Sequence, residues 1–157
     1  MDKKGIHNNF NGYSAVPLAE ADHIIRARLV ELFDRLIKKN KICLDKARDH
    51  WMEKIYSRIL TIQKRMDRIK GEMKQNDKPA AYRLENLKQE DESDIRSLDI
   101  KLENTIEDCA EKIDSLTCME TDVHIYNTFS DIETSLRKIE EHFHKRKEIF
   151  KKMRIFG

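Results

Sequence analysis

Apolar residues recur every three or four positions through most of the chain. The spacing is strictest where Ile55, Ile59, Ile62, Met66, Ile69 and Met73 follow one another by steps of 4, 3, 4, 3 and 4, the seam of a coiled coil. Upstream, Leu29, Phe33, Leu36, Asn40, Cys43 and Ala47 keep heptad spacing, and Trp51, Ile55 and Ile59 then step by 4 and 4. Such a stutter loosens the supercoil locally and leaves room for a side chain as bulky as Trp51. Asn40 falls on the seam in this register, where it either fixes the pairing at a cost in stability or rolls to the solvent edge. Only Gly71 interrupts residues 17–75, and no proline follows Pro17. The pattern therefore predicts one helix over about 17–75, roughly 88 Å long at ~1.5 Å per residue. Pro17 suits its first turn, and Glu20 and Asp22 meet the positive end of its dipole.

The clearest break is Gln75-Asn76-Asp77-Lys78-Pro79, where the proline biases Lys78 away from helix and can open the next one. A short connection between long helices predicts an antiparallel hairpin. Residues 80–156 contain neither Gly nor Pro. After Tyr82, Leu84 and Leu87 the run 88–94 has no apolar residue, so the helix there either projects into solvent or breaks near Ser93. Ile95, Leu98, Leu102, Ile106, Cys109, Ile113, Leu116 and Met119 resume the stripe. Ser130 and Glu133 have capping-box spacing, with Phe129 placed to staple the new helix. A second turn is expected around 126–130, the rival being one helix of some 75 residues. Ile132, Leu136, Ile139, Phe143, Phe150 and Met153 form the last apolar face, with Glu133/Arg137, Glu141/Lys145 and Glu148/Lys152 in the favourable acid-first order.

The expectation is thus an all-α, elongated, antiparallel coiled-coil-like bundle of three helices, the first very long. Its helices span about 17–75, 80–126 and 130–155 in a single domain, 17–157, behind a flexible arm, 1–16. A first-helix seam that outruns the third helix leaves an apolar strip bare, which predicts homodimerisation or a helical partner.

Composition agrees with an elongated body: 38% of residues are charged and 39% hydrophobic, enough for a stripe per helix but little for a round core. With only 7% aromatic residues and no alternating Val-, Tyr- or Thr-rich runs, no strand is expected. Cys43, Cys109 and Cys118 lack CxxC spacing and fall at or beside helical apolar positions, so they read as buried thiols of a reducing, cytoplasmic setting. No leader, membrane span or lipidation motif is read: Asp2 stands where myristoylation requires glycine.

The net charge of +2 conceals three blocks. Residues 1–75 carry 17 basic and 10 acidic side chains, residues 76–136 carry 6 and 16, and residues 137–157 carry 8 and 3. Opposite blocks predict that the acidic middle lies against the basic ends, against the alternative of three separately solvated faces.

Candidate chemistry is thin. Glu20-x-x-His23 and Glu141-x-x-His144 match the spacing of di-iron bundles, where i and i+3 share a helix face; groupings such as Glu120, His124 and His142 show how readily such matches arise, and no metal or other cofactor is expected. No nucleophile elbow or phosphate loop is present, and no cysteine has a histidine within one helical turn, so no enzyme is expected. The acidic run Glu90-Asp91-Glu92-Asp94 lacks the pattern of a calcium loop. The most promising binding surface is the basic amphipathic stretch 137–157. In it Lys145, Arg146, Lys147, Lys151, Lys152 and Arg154 alternate with Phe143, Ile149, Phe150, Met153, Ile155 and Phe156. Such a helix docks on a protein, contacts nucleic-acid phosphates, lies on an anionic membrane, or simply closes the core. The leading expectation is a non-enzymatic interaction or scaffold protein. A nucleic-acid or ribosome-associated factor and a peripheral membrane protein are the alternatives.

Overall fold

A computed structural model describes residues 18–49, 53–75, 89–116 and 122–155 of the chain. These residues are helical, with a bend at Gln75 and no strand among them. Among the described residues four helices stand where three are predicted: α1 (Leu18–Asp49), α2 (Glu53–Lys74), α3 (Gln89–Leu116) and α4 (Asp122–Ile155).

The single helix predicted over 17–75 is two helices that fold back on each other. Asn40 of α1 meets Ile59 and Gln63 of α2, while Arg26 reaches Met73 and Gln75 at its far end, so α1 and α2 run antiparallel. The division falls at the stutter, where Trp51 lies outside the described residues. The physical reason is burial. One straight helix of that length leaves its seam facing water, whereas the hairpin buries Leu29, Phe33, Leu36, Ile59, Ile62, Met66, Ile69 and Met73 in one core. At ~25 cal/mol per Å² of apolar surface, that gain outweighs a few helical hydrogen bonds lost at the corner. The predicted bare strip is consequently covered from within the chain.

The second half shifts in a similar way. The turn expected at 126–130 lies inside α4, with Ser130 exposed in its helix and not capping it. The division instead falls within 117–121, outside the described residues, as do the arm 1–16, Pro17 and the connection 76–88. A capping box needs a chain that enters from outside the helix. Here Ile125, Phe129 and Ile132 already continue the buried stripe through that point, so extending the helix N-terminally buries more. Nor does α3 break at Ser93; its first turn carries Glu90, Asp91 and Glu92, which the helix dipole favours.

Two hairpins, α1–α2 and α3–α4, pack side by side. Lys112 donates to Ser135 and Arg146 to Asp99, fixing α3 and α4 antiparallel. Lys39 and Cys43 of α1 meet Asp114 and Ile113 of α3, and Asp22 and Asp99 share a partner, so α1 and α3 run parallel. Arg58–Glu133 and Arg65–Glu140 set α2 parallel to α4. The helices α1 and α4 are therefore antiparallel, the reverse of what a three-helix chain would give. Packing is closest within each hairpin, substantial between α1 and α3, and slight between α2 and α4.

Candidate interaction surfaces and a buried ion network

Near the end of the bundle where α1 begins, the core is charged. Arg146 is 0% exposed, Asp99 0% and Asp22 3%. The Arg146 Nε donates to Asp99 Oδ1 at 2.8 Å, and its Nη2 stands 2.6 Å from Asp22 Oδ1. That second contact lies off the hydrogen-bond direction and leaves this Asp22 oxygen without a hydrogen-bond donor. The guanidinium also lies over the Phe150 ring, 4.9 Å from its centroid. Arg26, one turn along from Asp22, brings its Nε to 3.2 Å from Asp22 Oδ2 and donates through Nη1 to the carbonyls of Met73 and Gln75. Arg26 thereby caps the C-terminal carbonyls of α2, which have no partner within their own helix. All four helices meet in one polar network, through Asp22 and Arg26 of α1, the C-terminal end of α2, Asp99 of α3 and Arg146 of α4.

Midway along the α1–α2 hairpin, Asn40 takes the seam position and is buried. Its Nδ2 donates to Gln63 Oε1 at 2.8 Å, while its Oδ1 has no partner. A half-satisfied amide in a seam costs stability and marks register.

The α2–α4 contact is built differently. Arg58 grips Glu133 at 2.9 and 3.1 Å, and Arg65 and Arg68 share Glu140 at 2.7 and 3.4 Å. Arg58 also covers the Phe129 ring, 5.6 Å from its centroid. Lys39–Asp114 across α1–α3, Arg146–Asp99 across α3–α4 and Arg58–Glu133 each join a basic block to the acidic one, whereas Arg65 and Arg68 with Glu140, and Arg146 with Asp22, join the two basic blocks to each other.

Of the residues predicted to bind a partner, α4 turns Phe143, Arg146 and Phe150 into the core. Lys145, Lys151 and Lys152 face solvent and Lys147 is half-buried with its ammonium over Phe143. Arg154, Met153 and Ile155 have side chains outside the description, and Phe156 lies wholly outside it. The apolar face of this basic helix thus closes the bundle, and only the lysine face is outward. Of the predicted seam, Ile59, Ile62, Met66, Ile69 and Met73 are buried and Ile55 is partly so.

The di-iron spacing does not assemble. His23, Glu141 and His144 are all exposed, His144 pairing with Glu148 at 3.2 Å, and no group of three metal-capable side chains comes together among the described residues. Cys43 and Cys109 are buried free thiols. Burial pushes the Cys109 thiol up to about 12 and raises that of Cys43, so neither is poised as a nucleophile. Cys118 lies outside the described residues. No helix among the described residues is long and apolar enough to cross a membrane.

Compared with family models, curated proteins and solved structures, the chain matches none. Function has to be argued from its surfaces.

Two features lie beyond the sequence reading. The network Asp22–Arg146–Asp99 carries a legible trace: each residue occupies a slot in its helix's apolar stripe, as Arg146 does between Phe143 and Phe150. The second is a set of exposed isoleucines, Ile24 at 41%, Ile42 at 61% and Ile100 at 43%. Ile24 and Ile42 are 18 residues apart, five helical turns, and so lie on one line of α1. Ile100 adjoins Asp99, and Ile24 is two residues from Asp22; both stand level at the end where Arg146 ties α1 to α3. Such off-stripe apolar residues are the signal that would have found them.

Proposed function

We propose that this protein is a non-enzymatic interaction module that pairs through the outer face of α1 and α3 with a helical protein, in the first instance a second copy of itself. The observation that carries this reading is the row Ile24, Ile42 and Ile100, large aliphatic side chains held in water on two adjacent parallel helices. Isolated exposed apolar residues are commonplace, but Ile24 and Ile100 are level on adjacent helices, and Arg28, Glu31, Arg35 and Lys38 continue the face of α1 from Ile24 to Ile42 as a charged flank, the make-up of a small apolar centre with a charged edge. The rigid network beneath Ile24 and Ile100 supports it further, because a surface fixed in advance loses little entropy on binding. Buried free thiols at Cys43 and Cys109 support a reducing compartment such as the cytoplasm.

Sedimentation equilibrium on the full chain and on an Ile24→Glu/Ile100→Glu variant tests the reading. The expected result is a dimer for the natural sequence and a folded monomer for the variant. A natural sequence that stays monomeric across the micromolar range, or a variant that dimerises equally well, overturns it.

A further inference from the structure

A second surface lies on the adjoining flank of the molecule, between α3 and α4. The ring of His142 is half-buried there, and its Nδ1 is shielded from solvent with no hydrogen-bond partner. Lys138 and Lys145 lie one turn before and one turn after it on α4, on the same side of the helix. The third cation comes from α3. Lys101 is two residues from Asp99, whose partner Arg146 is one turn from His142, so the antiparallel pairing brings Lys101 level with 142–145. All three ammonium groups are near enough to disfavour a positive charge on the ring.

Lys39, Arg58, Arg65 and Lys70 pair with carboxylates across helices, whereas Lys101, Lys138 and Lys145, like other exposed lysines such as Lys41, enter no ion pair among the described residues. The nearby carboxylates are turned elsewhere: Glu141 leans toward Arg137 at 3.9 Å, Glu148 holds His144, and Asp99 is committed to Arg146. Three like charges from two helices act on one half-exposed imidazole, and among the described residues Glu141 is the one carboxylate that opposes them there. That arrangement raises the energy of the empty site and is relieved by a multiply charged anion.

We infer that Lys101, Lys138, His142 and Lys145 form a binding site for a phosphate monoester group. Ammonium donors suit phosphate as point charges, and an imidazole can supply one directed N–H. Sulfate and chloride carry fixed charge only; a phosphate monoester near neutral pH also exchanges a proton, and so can share one with His142. The group can be carried by a small soluble ester or by a lipid headgroup, and the same four side chains serve either.

The ring couples the site to pH. Burial, with Lys101, Lys145 and Lys138 facing it, holds His142 below its ordinary value, and Glu141 only partly opposes them. A bound dianion reverses the sign of that local field. Binding of the dianion therefore draws a proton onto His142, and the affinity for the dianion, corrected for the ligand's own protonation, rises as the pH falls from 7.5 toward 6.

The test uses the full chain with inorganic phosphate and pyrophosphate as probes. Calorimetric affinity and the His142 ring signals by NMR are followed from pH 5.5 to 8, at ionic strength matched with sodium chloride. A parallel arm measures flotation with vesicles of phosphatidylcholine with and without phosphatidic acid. The expected result is saturable binding, an upward move of the His142 midpoint on adding phosphate, and a loss of affinity of roughly tenfold or more in Lys101→Ala and in Lys145→Ala. Both lysines are exposed, so the fold should survive, and Lys41→Ala, exposed on α1, serves as a control that leaves binding unchanged. Saturation by soluble phosphates identifies a small ester as the source; capture only by phosphatidic acid vesicles, lost in the same variants, identifies a headgroup. If the soluble phosphates leave His142 at its chloride-control midpoint and phosphatidic acid vesicles do not capture the chain either, or if Lys41→Ala weakens binding as much as Lys101→Ala, the inference is overturned.

Discussion

A guanidinium fully withdrawn from water, as Arg146 is, has to be matched on every side. Two carboxylates from two other helices and the Phe150 ring do so. The energetics are asymmetric, since an intact buried triad contributes little net stability while a broken one leaves uncompensated charge in a medium that solvates it poorly. Arg146→Met, similar in length and apolar, should therefore lower unfolding stability by about 3–5 kcal/mol. Replacing all three members, as Asp22→Leu, Asp99→Leu and Arg146→Met, should restore most of that loss. Urea unfolding followed by circular dichroism checks both, and an Arg146→Met protein within ~1 kcal/mol of the natural one would refute the assignment. The triad's use lies in specificity. It can be satisfied only when α1, α3 and α4 meet in one register, a constraint that interchangeable Leu and Ile side chains do not impose.

Between elements, the four contacts of the bundle differ in kind. Each hairpin closes over a continuous apolar seam, while α2 and α4 meet chiefly through Arg58–Glu133, Arg65–Glu140 and Arg68–Glu140. These side chains are about one-third exposed or more, so each pair contributes on the order of 0.2–1 kcal/mol and is screened by salt. The double variant Arg58→Ala/Arg65→Ala should lose about 1–2 kcal/mol at low ionic strength and much less in 1 M sodium chloride. Part of the Arg58 term should persist, because its contact with Phe129 is less sensitive to salt. Thermal melts of the two proteins at both salt concentrations measure this. An equal loss at both would mean that the α2–α4 contact rests on packing.

At the scale of the whole molecule, the decisive event is the reversal of the chain between α1 and α2. An unbroken helix would hold His23 and Lys74 about 77 Å apart, at ~1.5 Å for each of the intervening residues. The hairpin brings them to about 20 Å, the interaxial spacing plus two label arms. Spin labels on cysteines placed at these two exposed positions, in a Cys118→Ser background where Cys43 and Cys109 stay buried, should give a dipolar distance near the shorter value. A distribution centred on the longer one would reinstate the single helix. In the dimer proposed above the intramolecular distance is unchanged, so spin dilution with unlabelled chain separates it from distances between copies.

Much was legible in the chain itself. Helical content, the buried seam of α2, the apolar stripes of α3 and α4 and the basic-to-acidic pairs Lys39–Asp114, Arg58–Glu133 and Arg146–Asp99 follow from period and charge, which are local properties. The end of α2 at Lys74 also falls beside the break read at Gln75-Asn76-Asp77-Lys78-Pro79, but tertiary structure alone decided where the chain turns between α1 and α2 and between α3 and α4. No glycine or proline marks the stutter near Trp51 or the division between Leu116 and Asp122, and the seam on either side continues the same helical period. Helix propensity is satisfied equally by one long helix and by two, and only the burial gained when two seams close on each other separates them. The same holds for Arg146. Its sequence context reads as a solvated basic helix, and only Asp22 and Asp99, brought from helices distant in the chain, make burying its charge tolerable. Solvent-facing periodicity is visible along one helix, but which faces remain bare depends on what the other helices cover. Ile24, Ile42 and Ile100 therefore became visible as a surface, and the lysines around His142 as a site, only once four helices were packed.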